Sequence, residues 1–458
     1  MPVQSTSKRT APPPPAPVAE LTGDAWQTEI VPLLPPDLAA QAKALGAFQR
    51  VRAVATPTDL LRAVLALVLE DLSTRGLGAW AVLADVADIS ETAWRKRLST
   101  SSPWLGWLLG ELLVTELAAG PALAQRGRRI RLIDATRLRQ IGGCGDDWRV
   151  HLSYDLLAGR MDEVVVSDRH TAERLALFTL LVGDILVADG GYGYRGAVLT
   201  ARAAGADVVL RVHPQTCPLE DAAGQAFDVE AWLRRLTNER TGLAEWSGWC
   251  RVHGQRQAVR LIASALPPEQ RSTARRKKAR RAKKKGKQLS ARTLRLAGWW
   301  LLLTTLDATW SAADVVRLYR ARWQVELLFK RLKQLLRAHT IRATSRAGAE
   351  ATVRAVLVAW ALHERLAGRL QAALAAVAPP APTRPVSLWR VAKLSLATLA
   401  TTVRGTWAIA RLEACLPRLR RFLCDTPRRR PQQAATVRDW LATHPGRASL
   451  PEPEEIAA

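Results

Sequence analysis

Acidic residues are scarce relative to basic ones in this chain of 458 residues. Asp and Glu number 41 against 67 Lys and Arg, a formal net charge of +26. A compact chain with that much charge of one sign repels itself unless a polyanion shares its surface. Nucleic acid is the usual polyanion, and an acidic membrane surface is the weaker alternative. Cysteine is sparse too. Cys144, Cys217, Cys250, Cys415 and Cys424 lie far apart and none forms a C-x-x-C pair, which argues against a zinc knuckle and against a secreted disulfide scaffold. The His residues are scattered, with no H-x-x-x-H. No apolar run approaches the roughly 18 residues that span a bilayer. The opening MPVQSTSKRT has no apolar h-region, so no signal peptide is expected, and the expected location is cytoplasmic. There is no G-x-x-x-x-G-K-[ST], so ATP use is not indicated. What is present, 48% hydrophobic and 24% charged residues, suits a globular chain with room for about two to four domains.

Residues 1–20, rich in Pro, Ala and Ser, read as a disordered tail. Residues 21–123 read as a helical domain. LLRAVLALVLEDL and WLGWLLGELLVTELA are amphipathic helices, and WAVLADVADISETAWRKRL between them reads as helix, turn, helix. Ser90 is its N-cap, and Arg95, Lys96 and Arg97 lie on the second helix. That helix is either a DNA reader in a helix-turn-helix or half of an ordinary hairpin with a solvated basic face. From 127 to 212 the pattern is α/β: three strands (RRIRLIDATRL, WRVHLSYDLL, MDEVVVSD), a helix over TAERLALFTLL, a strand in GDILVADGGYGYR, a short helix and the strand ADVVLRV. Residues 213–298 break that rhythm with short strands and the basic run RRKKARRAKKKGK at 275–287. AGWWLLLTTL then reads as a buried strand, and from Ser311 onward the chain is nearly all helical, with a Pro-rich break at 377–385. The last stretch, from TPRRRPQQ onward, is basic and then acidic.

Three carboxylates stand out by placement. Asp134 follows the apolar run IRLI, and Asp189 follows ILVA. An acid directly after a buried strand emerges at the strand's carboxyl end, where α/β sheets place their sites. Each is otherwise a turn former or N-cap. Two in one sheet suit a shared Mg²⁺ site. The third is Glu326 in LYRARWQVELLFKRLKQLL. At about 100° per residue, Tyr319, Arg322, Glu326, Lys330 and Lys333 share one side of a helix, while Leu318, Val325, Leu328 and Leu332 form the apolar side. Glu326 is alternatively one member of solvated i,i+4 pairs with Arg322 and Lys330. Three converging acids suit two-metal chemistry at a phosphodiester, with the adjoining cations on the phosphate backbone.

The spacing Y-x2-R-x3-E-x6-K, met by Tyr319, Arg322, Glu326 and Lys333, resembles the signature of cut-and-paste bacterial insertion-sequence transposases with a DDE triad. LIDATRL and GDILVADGGYG resemble that family's two Asp segments. The resemblance covers roughly 127–340. It implies an α/β, ribonuclease-H-like core interrupted by a β-rich insertion, here core 127–212 and 299–345 around insertion 213–298, with helical regions at both ends. It implies Asp134, Asp189 and Glu326 as catalytic metal ligands for two Mg²⁺ ions, with Mn²⁺ as a substitute. It also implies end binding through 21–123, and a homodimer in a synaptic complex built through the C-terminal helices of 346–458. Trp300, before Leu301–Thr304, is the candidate for stacking on a flipped base, or else a core Trp. Gly190 departs from the pattern, since members often carry a basic residue after the second Asp. The function implied is cleavage at element ends and joining of 3′-hydroxyl ends to target DNA. The other readings are a catalytically silent DNA-binding relative and a ribonuclease-H-like nuclease that does not transpose.

Overall fold

The computed structural model describes residues 24–119, 128–142, 146–252, 254–284, 286, 288–338, 340–343, 345–377, 386–405 and 433–442. The expected N-terminal tail, residues 143–145 between the first two expected strands, most of the Pro-rich break and most of the last stretch lie outside these residues.

The chain forms two compact units, one of residues 1–104 with 355–428 and one of 105–354 with 429–458. The first unit is helical. It contains α1 (Leu38–Ala44), α2 (Pro57–Leu69), α3 (Thr74–Leu83) and α4 (Glu91–Thr100). The N-terminal and C-terminal helical stretches, separate regions in the sequence reading, meet here. Arg62 Nε donates to Val403 O at 2.8 Å, and Arg365 Nη1 to Leu33 O at 2.7 Å. The helix starts are legible: Thr56 and Asp59 form a capping box on α2, and Ser90 Oγ accepts from Ala93 N at the start of α4. Helix α5 (Ser102–Ala119) leads into the second unit.

The second unit is built on one ten-stranded sheet. Its strands are β1 (Ile130–Gln140), β2 (Asp146–Asp155), β3 (Arg160–Asp168), β4 (Ile185–Ala188), β5 (Asp207–Arg211), β6 (Leu219–Glu220), β7 (Leu243–Val252), β8 (Gln255–Ala265), β9 (Trp299–Thr304) and β10 (Thr340–Ile341). Their order is β3-β2-β1-β4-β5-β9-β8-β7-β6, with β10 beside β1. β3, β2 and β1 are antiparallel, while β1, β4 and β5 run parallel, the mixed α/β arrangement of a ribonuclease-H-like core. Strand β4 is buried along its whole length, as expected of an apolar run covered on both faces. Ile133, Leu186, Val208, Leu210, Leu301 and Leu303 join the core shared with α6 (Arg195–Ala203) and α7 (Val229–Asn238). The alternate residues Leu132, Val187, Val209 and Leu302 turn to the opposite face, where α10 (Ala312–Ala321) meets β4, β5 and β9 and α11 (Trp323–Leu335) meets β1.

Three expectations change, and the place of the insertion becomes defined. TAERLALFTLL is not a helix but an extended crossover with a single 3₁₀ turn at Leu175–Leu177. Leu175 and Phe178 are drawn into the core, and Thr179 N is held by the Glu163 carboxylate at 3.0 Å, so tertiary contacts override the local periodicity. Strand β1 does not end at Asp134 but continues to Gln140 against β2; it is β4 that ends there. Residues 213–298, expected as a β-rich insertion, share the sheet of the core. The β7–β8 hairpin adds to the core sheet through β9, and helices α7, α8 (Pro268–Lys284) and α9 (Ala291–Leu296) accompany it. Finally, the helix carrying Tyr319 and Glu326 is broken into α10 and α11 at Arg322.

Candidate active site

Side-chain alternation along the strands decides what faces α10 and α11. Asp134 lies two residues past Leu132, Asp189 two past Val187, and Trp300 two before Leu302, so all three share that face. β1 and β4 pair with Ile133 opposite Ala188, which brings Asp134 and Asp189 out at one level of the sheet. β9 runs antiparallel to β5, so its start, with Trp300, lies at this same end.

Arg322 occupies the joint between α10 and α11. It donates from Nη1 to Asp134 Oδ2 at 2.6 Å and from Nη2 to Glu326 Oε1 at 2.5 Å. Its guanidinium carbon lies 5.7 Å from the ring centre of the buried Tyr319, whose edge meets Trp300 with ring centres 5.4 Å apart. Trp300, half-buried, thus belongs to a contiguous chain of contacts that ends on two of the three acids. Burial pushes the Asp134 carboxyl up to about 7; Arg322 opposes the shift, while Asp189 and Glu326 add to it. Burial works against the charge on Arg322, but Tyr319, Asp134 and Glu326 outweigh it and hold the guanidinium above its ordinary range.

A fourth carboxylate escaped the sequence reading. Glu173 Oε2 lies 1.6 Å, and Asp189 Oδ1 3.1 Å, from the point where a Cβ on Gly191 would sit. The two oxygens are therefore closer than the sum of those distances, and only glycine at 191 leaves room for Glu173. Burial, and then Asp189, raise the Glu173 pKa, while Arg149, 3.8 Å away, lowers it. Nothing in the sequence flagged Glu173, because its stretch mimics a helix. Beneath the site His151 is buried between Tyr192 OH (3.1 Å) and Ser167 Oγ (2.9 Å).

The remaining predicted residues are on two helices. On α11, Lys330 is exposed and Lys333 half-buried. Arg95, Lys96 and Arg97 are on α4 in the helical unit. Arg95 pairs with Glu91 at 2.7 Å, Lys96 is exposed, and Arg97 turns toward the Phe48 ring at 6.0 Å.

Among the described residues no three His, Cys, Asp or Glu side chains are close enough to enclose a metal ion. The chemistry of the donors nevertheless fits a hard divalent cation, because Asp134, Asp189 and Glu326 offer only oxygen.

Residues 125–362 match the family described as "Transposase DDE domain". The chain is 36% identical over 330 residues to a protein of Escherichia coli (strain K12) named as transposase InsL for insertion sequence element IS186A, covering 71% of this chain and 89% of that one. It is 35% identical over 331 residues, with the same coverage, to the transposase for insertion sequence element IS421 of Escherichia coli. With its fold and its acids at the end of the sheet, the chain belongs to the DDE transposases of bacterial insertion sequences. It is an enzyme of DNA recombination, and the family implies that it binds DNA and uses a divalent metal. No helix among the described residues is long and apolar enough to cross a membrane.

Proposed function

We propose that this transposase cleaves DNA at the ends of its element and joins the freed 3′-hydroxyl ends to target DNA. The observation that supports this most is the gathering of Asp134, Glu326 and Arg322 opposite Asp189 at one end of the sheet. Asp134, Asp189 and Glu326 would hold two Mg²⁺ ions, or Mn²⁺ in their place. When bound, such a pair activates the attacking water or 3′-hydroxyl and stabilises the leaving oxygen. Arg322 has the role of a placeholder cation that turns from the carboxylates toward a DNA phosphate as the site fills; a guanidinium suits both partners. Tyr319, Lys330 and Lys333 grip the backbone beside the scissile bond, and Trp300 stacks on a base displaced there. Two copies of the chain pair the two ends. On α4, Arg95, Lys96 and Arg97 contribute to end binding.

The test is incubation with the flanking element-end duplex and Mg²⁺, followed by strand mapping. The reading expects cuts at the element boundary that expose a 3′-hydroxyl. It fails if no cut occurs there with Mg²⁺ or Mn²⁺.

A further inference from the structure

Helix α8 is out of place in a self-sufficient fold. Its sequence, PEQRSTARRKKARRAKK, contains nine Lys or Arg and one acid, and none of its residues is buried. Arg276 and Arg280, Lys277 and Arg281, and Arg280 and Lys284 stand four apart, where like charges oppose helix formation. No ion pair joins α8 to a carboxylate among the described residues. Arg271 packs at Gly298, Arg275 Nε donates to Leu294 O at 3.2 Å, and further along Lys278 lies near enough to His213 to disfavour its charged form. A helix that has no fully buried residue and repels itself gains most from a partner of opposite charge running along it.

Its root is at the reacting end of the sheet. Ala265, which ends β8, pairs with Trp299, and Leu266 N bonds to Gly298 O at 2.9 Å. Trp300 is the next residue along β9, so α8 springs from the edge where Asp134 and Asp189 emerge. We propose that α8 is a rail for duplex DNA, contacting the phosphate backbone that flanks the reacting site without regard to sequence. Arg and Lys cover its surface, and a row of cations along a helix suits the continuous row of phosphates on a duplex backbone. The inference rests on the transposase reading and adds a second, non-catalytic DNA surface to it.

The test uses the full chain carrying Lys277→Gln, Lys278→Gln, Arg280→Gln and Arg281→Gln together. All four side chains are exposed, and circular dichroism checks that the fold is kept. A charge-preserving variant (Lys277→Arg, Lys278→Arg, Arg280→Lys, Arg281→Lys) is the control. Binding to an element-end duplex and to an unrelated duplex of equal length is titrated across a salt series. The slope of log affinity against log salt is expected to become shallower on both duplexes, by about 0.9 for each phosphate no longer neutralised, and to be kept by the control. A slope equal to wild type on both duplexes overturns the rail and leaves the transposase reading intact. A change confined to the element-end duplex overturns its indifference to sequence. Wild-type protein that binds neither duplex overturns both readings.

Discussion

At the scale of single residues, burial and charge set what each group can do. Replacing Asp134, Asp189 or Glu326 with Ala is expected to abolish cleavage and joining while end-duplex binding in gel shift persists, because each removes a proposed metal donor and no structural apolar contact. Glu173→Gln keeps the shape beside Asp189 but removes a charge. Cleavage is expected to fall about 10–100-fold, the usual cost of losing support for a metal ligand, with a matching loss in Mn²⁺ affinity by titration calorimetry. Unchanged affinity would leave Glu173 outside the site. His151 makes a different prediction. Burial, with Arg149, holds its pKa down at about 4 from 6.5. Between these values the unfolded chain binds a proton that the folded chain refuses, so stability is lost as pH falls through that window, by up to about 3 kcal/mol. Denaturant midpoints from pH 7 to pH 4 should fall less steeply in His151→Asn than in wild type.

At the scale of elements, the legible parts are those in which local pattern and tertiary demand agree. The run ILVA marked Asp189 because a strand covered on both faces reads as continuous apolar sequence, and Ile130, Leu132 and Ile133 marked Asp134 although Arg131, buried against Asp162 and Glu163, interrupts them. Val325, Leu328 and Leu332 marked the buried side of α11 through helical spacing. Glu173 was hidden because 171–181 has helical periodicity, yet its backbone is pulled straight by Glu163 and by core contacts at Leu175 and Phe178. The joint at Arg322 was hidden as well: no Pro or Gly marks it, and it is fixed by carboxylates, one of them 188 positions away in sequence. That joint carries the next prediction. Alignment of a second DNA strand demands more positioning than attack by water. Arg322→Ala and Lys333→Ala should therefore impair strand joining at least as much as first-strand nicking, measured on the same labelled ends. A variant that joins normally but nicks poorly would contradict this role.

At the scale of the whole molecule, a sheet that continues from the catalytic core into β9, β8 and β7 ties the inserted segment rigidly to the site, and a net charge of +26 supplies a surface for DNA. Helices from both ends of the chain build the other unit, a larger apparatus than hydrolysis of a phosphodiester needs. The central claim is that the acids at the end of this sheet direct a 3′-hydroxyl, and not only water, onto DNA. A precut element end with a free 3′-hydroxyl, incubated with wild-type protein, Mg²⁺ and a target plasmid, tests it most directly. The account predicts covalent joining of that end to the plasmid, absent in Asp189→Ala. Efficient nicking of uncut ends with no joining of precut ones, in either Mg²⁺ or Mn²⁺, would contradict it and leave a nuclease.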